Sequence, residues 1–269
     1  MPDFCPGYVK EPFKTLAAHY PDETVYPFAD FRAEWGPIFH RGRLNGTASI
    51  LLIGQDPGQH ENILRRILVG EAGRRVQGFL AKLGITRRYV MINALLYSVF
   101  GANGGKYVAK PPVLDYRNEW IAGILKPGTV QAVVTLGGLA KKAWTEFTKI
   151  HGVPAGLAVE HLTHPTFPES AGGTKAERAA NTKKMLGQWS GALERLHPVI
   201  SRKDVPTTPL TVYADAFVDA DKLDIPSMDL PAGIPRRMYD DDGWARRVGA
   251  THPAKRRNIT LTVPEGVIQ

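Results

Sequence analysis

The stretch Leu51-Leu52-Ile53-Gly54-Gln55-Asp56-Pro57-Gly58 constrains the fold of this chain more than any other. Apolar residues run into a glycine, a Gln-Asp pair and then Pro-Gly. This is the pattern of a buried β-strand ending in a tight turn, with a carboxylate at the strand's C-terminal end. Pro57 fixes φ and lacks a backbone donor, and Gly58 permits positive φ or close approach of a partner, so Asp56 is aimed rigidly. Open α/β sheets bind ligands outside the carboxyl ends of their strands. Taken alone, the same residues equally describe a plain strand–turn with Asp56 as a solvated turn residue.

Strand-like runs recur over 90–95, 130–136 and 157–162, and helix-like stretches cover 26–35, 73–83, 116–125, 138–150 and 177–196. Val76, Phe79, Leu80 and Leu83 fall at three-and-four spacing, which gives the second of these helices one apolar face. Strands alternating with helices predict an α/β fold, a three-layer α/β/α arrangement around a central parallel-rich sheet. Residues 1–24 read as an N-terminal arm with one helix and 25–198 as the α/β domain. Residues 199–269, dense in proline, read as a small β-rich C-terminal extension with strands near 210–217 and 258–263. Turns are expected at Pro231-Ala232-Gly233 and Asp240-Asp241-Asp242-Gly243.

Charge is uneven along the chain. The net charge is +8, and 199–269 holds 10 basic and 10 acidic residues, so the remaining 24 basic and 16 acidic residues place the whole surplus on 1–198. A basic body suits a polyanion such as nucleic acid, although an ordinary basic protein has the same balance. The single cysteine, Cys5, excludes a disulfide framework and any four-cysteine metal or iron–sulfur site, and reads as a bystander. No signal-peptide pattern and no run of about 18 apolar residues is present, so a soluble cytoplasmic protein is expected. Gly104-Gly105-Lys106-Tyr107 departs from the phosphate-loop pattern G-x-x-x-x-G-K-S/T, with Phe100 at the first glycine and Tyr107 at the last position. Gly137-Gly138, between a strand and a helix, could offer N–H groups to a phosphate, or simply fit the turn.

Two further motifs join Asp56. His161-Leu162-Thr163-His164-Pro165-Thr166-Phe167-Pro168 sets an imidazole before a proline in a stiff loop, and Tyr89-Val90-Met91-Ile92-Asn93-Ala94-Leu95 carries one amide in an otherwise apolar run. Asp, then Asn, then His-Pro, each at a strand end, resembles the uracil-DNA glycosylase superfamily. Gly54-Gln55-Asp56-Pro57-Gly58 is similar to its first motif and His164-Pro165-Thr166 to its second. Val69-Gly70-Glu71-Ala72-Gly73-Arg74 looks like the segment after the first motif in the iron–sulfur branch. The resemblance spans Phe28 to Leu196 and marks a divergent, bacterial-type member without the cluster cysteines.

The resemblance implies a monofunctional glycosylase that needs no metal or other cofactor, acts as a monomer on single- or double-stranded DNA, and starts base-excision repair. Breaking the bond between C1′ and the base leaves an oxocarbenium-like sugar and an anionic base. The enzyme therefore needs a carboxylate for the cation and the water, a donor for the leaving base, and a polar group that reads the flipped base. Asp56 suits the first role, His164 the second through an N–H aimed at uracil O2, and Asn93 the third by pairing with O4 and N3–H. Gln55, Gly58 and Leu68 are the further candidate substrate contacts. Gly58 stands where the best-known branch has a methyl-excluding tyrosine, which leaves thymine exclusion to Glu61, Asn62 or a nearby loop. Leu68 stands where many members have a stacking phenylalanine. Arg65, Arg66, Arg74 and Arg75 are candidate phosphate contacts, each also readable as part of a solvated helix face. Phe167 is either an apolar wedge for the gap left by the flipped nucleotide or a core anchor. Two rival readings stand beside uracil excision: a DNA-binding module of the same fold without turnover, and a glycosylase for hypoxanthine or mismatched thymine.

Overall fold

A computed structural model describes residues 8–100, 103–240, 243–249 and 258–263. Cys5, the Gly101-Ala102 pair of the loop before Lys106, and Asp241-Asp242 of one expected turn lie outside these residues.

The expected parallel strands form, the three central ones where the sequence is almost continuously apolar. β1 (Arg41–Gly42), β2 (Ile50–Gly54), β3 (Tyr89–Asn93), β4 (Ala132–Leu136) and β5 (Ala158–Leu162) make one sheet in the order β1-β3-β2-β4-β5. All neighbours are parallel except β1, which runs antiparallel to β3. Every residue of β2, β3 and β4 is buried, as expected of strands covered on both faces. The period of two sorts their side chains. Leu51, Ile53, Val90, Ile92 and Val133 pack on one side with α1 (Phe13–Ala18), α4 (Pro111–Leu125) and α5 (Gly138–His151). Ile50, Leu52, Tyr89, Met91, Ala132 and Val134 pack on the other with α3 (Glu71–Lys82) and α7 (Lys175–Leu196). Two further short helices are α2 (Gln59–Leu64) and α6 (Phe167–Ser170). α7 starts on a capping box: Thr174 Oγ1 accepts from Glu177 N–H while the Glu177 carboxylate accepts from Thr174 N–H.

The expected helix over 26–35 is reduced to a single 3₁₀ turn, Ala33–Trp35. Its apolar residues serve tertiary contacts instead of a helical stripe. Tyr26 packs edge-on against Phe31 and Tyr97, and Phe31 pairs with Val99 in an isolated antiparallel bridge.

Among its described residues the C-terminal extension contains one antiparallel strand pair, the hairpin strands β6 (Ala245–Val248) and β7 (Asn258–Leu261), after a four-residue helix α8 (Arg237–Asp240). The strand expected near 210–217 does not pair. Tyr213 and Phe217 instead set their rings edge-on to Trp189 of α7, so side-chain burial on a helix replaces a ladder. The Pro231-Ala232-Gly233 turn forms, with Gly233 at φ +85°. Acidic residues fasten the extension to the α/β layers. The Asp204 carboxylate accepts the N–H groups of Thr86, Arg87 and Arg88 at 2.8, 2.8 and 3.0 Å. Asp221 pairs with Lys82 at 2.9 Å. Asp229, 2% exposed, meets Arg41 at 3.5 Å, Arg43 at 3.1 Å and the Tyr89 hydroxyl. Among the described residues no helix is long and apolar enough to cross a membrane.

Candidate active site

The shared direction of β2–β5 brings the three sequence motifs to one end of the sheet. Gly54, the last residue of β2, is in register with Asn93, the last of β3, and the chain after each strand continues in step: Ala94 N–H donates to Gly54 O and Leu95 N–H to Gln55 O. A side chain at residue 54 would meet Asn93 Oδ1 at 2.2 Å, so the glycine makes room for the amide. Gly54→Ala should push Asn93 out of place and lower kcat/KM for any turnover that uses the amide by about 10²-fold, the usual scale for a displacement of about 1 Å in a positioned group. Steady-state kinetics beside a thermal melt checks this, and unchanged kinetics in a folded variant would remove Asn93 from the site.

An open cleft of about 550 Å³ runs across this end, lined by Gln55, Asp56, Gly58, Glu61, Leu68 and His164 among others. Asp56 is half-buried, and one carboxylate oxygen accepts Val99 N–H at 3.2 Å, which fixes the direction of the other. Asn93, only 8% exposed, is not among the residues that line the cleft and lines instead a small internal void with Tyr26 and Trp120.

His164 is enclosed except on its cleft side. Burial in the first place, with the nearby Arg75 charge, holds its pKa down to about 4, against the opposing pull of Glu61 and Glu169. The backbone N–H of Thr166 donates to His164 Nδ1 at 3.3 Å. A neutral imidazole that accepts at Nδ1 carries its proton at Nε2, so the ring presents a neutral N–H donor.

Gly58 opens α2, and a Cβ there would lie 2.6 Å from Glu61 Oε2. The missing side chain is thus replaced by a carboxylate folded back from the first turn of α2. Glu61 is 7% exposed, and its other oxygen accepts Val69 N–H at 3.0 Å. Leu68 takes a left-handed conformation, φ +54°, rare for a bulky residue and of the kind that collects at functional sites. Its buried side chain lines the cleft between Glu61 and Gly70.

Gln55 lines the cleft and also has an internal partner, as do the arginines. The Gln55 side chain lies against Gly137, and its Oε1 accepts Leu139 N–H at 3.2 Å, so it caps the N-terminus of α5. That contact takes up one of the N–H groups that the Gly137-Gly138 turn could offer to a phosphate. Arg75 is 5% exposed and faces inward. It pairs with Glu169 at 2.7 Å and Glu71 at 2.9 Å, donates to Pro165 O at 2.6 Å and stacks on the Phe217 ring. It fastens the loop that carries His164 and is not placed to meet a phosphate. Arg65, left-handed at the end of α2, donates to Pro37 O at 2.8 Å, and Arg66 to Arg65 O at 2.6 Å. Burial lowers the pKa of both. Arg74 lies 3.7 Å from Asp224. Phe167 is 41% exposed at the start of α6 and borders a neighbouring cavity of about 390 Å³ that shares Gln55 and His164 with the cleft. Its exposure excludes the core-anchor reading.

The family model described as the uracil DNA glycosylase superfamily matches residues 41–193, more than half of the chain. The chain belongs to this superfamily. Its members are DNA glycosylases, hydrolases that act on DNA, and the match contains all three strand-end motifs. No curated protein matches the chain. Two cleft residues escaped the sequence reading of this superfamily domain. Glu169 follows the second motif closely but gives no pattern of its own, and Arg247 lies outside the matched region altogether. Among the described residues no group of three or more His, Cys, Asp or Glu side chains could hold a metal ion.

Proposed function

We propose that the protein is a monofunctional uracil-DNA glycosylase, hydrolysing the N-glycosidic bond of deoxyuridine in DNA to release uracil and leave an abasic site for base-excision repair. The observation that carries this reading is the pairing, on one cleft, of a carboxylate steered by Val99 N–H and a histidine kept neutral with its proton at Nε2. The deoxyuridine leaves the base stack and enters the cleft. Asp56 orients the attacking water and stabilises the oxocarbenium-like sugar. His164 donates Nε2–H to the O2 of the departing base, so charge that develops on uracil meets a preorganised donor. Asn93 pairs with O4 and N3–H, a pattern that cytosine mismatches.

Leu68 supplies an aliphatic wall where an aromatic ring would stack, and the Glu61 carboxylate occupies the space beside Gly58. A thymine methyl driven against that carboxylate would strip water from a charge, which supports uracil over thymine. Phe167, exposed on the neighbouring cavity that shares His164 with the cleft, is suited to fill the gap left by the flipped nucleotide.

The test is single-turnover base release from matched oligonucleotides carrying uracil, hypoxanthine or mismatched thymine, single- and double-stranded, followed by alkali. Strand scission of the uracil substrate only after alkali is the expected result. Release of hypoxanthine or thymine in preference to uracil would reassign the lesion. Binding without release of any base would leave a recognition module.

A further inference from the structure

We infer that the C-terminal hairpin is part of the DNA-binding site, with Arg247 as the residue that grips a phosphate at the mouth of the cleft. The inference rests on the glycosylase reading of that cleft and extends it to a segment outside the matched region.

The cleft poses an electrostatic problem for a nucleic-acid substrate. Asp56, Glu61, Glu71 and Glu169 all line it, and among its described lining residues Arg247 is the single lysine or arginine. Arg75 pairs with Glu71 and Glu169, and Lys222 with Glu71, which offsets part of that charge. A phosphodiester in the cleft still gains from a cation in the lining itself.

The hairpin is docked so that Arg247, half-buried, lines the cleft. Trp244, 5% exposed, packs edge-on against His60 of α2 at 5.1 Å and donates through its indole N–H to Met238 O. Gln59, the first residue of α2, donates to Ala245 O at 3.4 Å. Leu64, Val69, Ile225, Leu230, Trp244 and Ala245 form a small apolar cluster beneath. Side chains alternate along β6, so Ala245 and Arg247 share the inward face while Arg246 is exposed on the other. The helix that follows the Asp56 turn is thus the seat of the hairpin, and the same contact fixes where the guanidinium lies. Planar guanidinium donors suit bidentate phosphate contacts.

The test measures affinity of the full-length protein for uracil, abasic-analogue and undamaged duplexes across a salt series, with Arg247→Gln, Arg247→Lys and, as a control on the opposite face, Arg246→Gln. Arg247→Gln should weaken all three DNAs alike, by about five- to tenfold at low salt, and make the log–log salt slope shallower by about one. Arg247→Lys should keep the slope, and Arg246→Gln should match the wild type. A wild-type salt slope in Arg247→Gln would overturn the inference, as would a loss confined to the saturated rate with binding intact. Binding is read without turnover, so a wild-type protein that releases no uracil would refute the proposed activity while Arg247 is still tested. Near-ultraviolet circular dichroism and a thermal melt that match the wild type establish that the variants are folded.

Discussion

Asp56→Asn should lower single-turnover uracil release by about 10²–10⁴-fold, the range for removing a positioned base or carboxylate from a transition state. The substitution keeps the size of the side chain and can keep an oxygen facing Val99 N–H, so the turn after β2 has no reason to move. What it removes is the negative charge beside a sugar that becomes cationic only as the bond breaks. The loss therefore falls on the rate at saturating enzyme and not on affinity for uracil DNA. Rapid-quench excision beside a binding titration separates the two. A variant that binds as tightly as wild type and still excises at a comparable rate would sink the role assigned to Asp56.

The second large effect is at His164. Replacement by alanine removes one donor to the leaving base, and such a donor is worth about 2.7–4 kcal/mol, or 10²–10³ in rate. The pH dependence tells a neutral donor from a protonated one. With its pKa held down to about 4 by burial, His164 stays neutral through the whole range in which a solvated histidine would gain a proton. Excision should therefore show no acid limb near pH 6.5 attributable to this residue, and its protonation should enter only near pH 4. Stability shows the complementary slope. Between those two pH values the unfolded chain binds a proton that the folded chain does not. The folded state is thus unpenalised above about pH 6.5 and loses stability progressively as the pH falls to about 4. His164→Ala should flatten that part of the stability profile. Urea titrations of both proteins across pH 4.5–7.5 measure it, and parallel profiles would show that the imidazole is not held neutral by its surroundings.

The central sheet was legible in the sequence because parallel strands covered on both faces must be apolar throughout. The runs ending at Gly54, Asn93 and Leu136 satisfy that condition except at Asn93 and Thr135. The placement of Asp56 and His164 on one cleft was legible for the same reason, since a parallel sheet brings all its strand ends to one side. α2 was not legible. It is six residues long, polar in composition, and is held by tertiary contacts of Glu61 and His60 and not by any periodic stripe. Arg75 looked like a surface cation because a helix written in sequence does not say which of its turns faces a loop more than 90 positions away. Its burial depends on Glu169 and Phe217 arriving from elsewhere. Arg247 was hidden more completely. A basic residue in a short exposed hairpin gives no signal until Trp244 seats that hairpin on α2.

Asp229 bears on how far the matched region and the stable unit coincide. The matched region begins at Arg41, and both Arg41 and Arg43 turn their guanidinium groups inward to a carboxylate that this region does not contain. A chain cut after residue 198 would lose the carboxylate that both guanidinium groups meet. Stranding one buried ion of a pair costs about 3–5 kcal/mol, a large share of the roughly 5–15 kcal/mol by which a folded protein exceeds its unfolded chain. The downstream segment is thus ballast without which the matched region should lose cohesion, so the shortest fragment able to stand alone is set by an aspartate far beyond the three strand-end motifs.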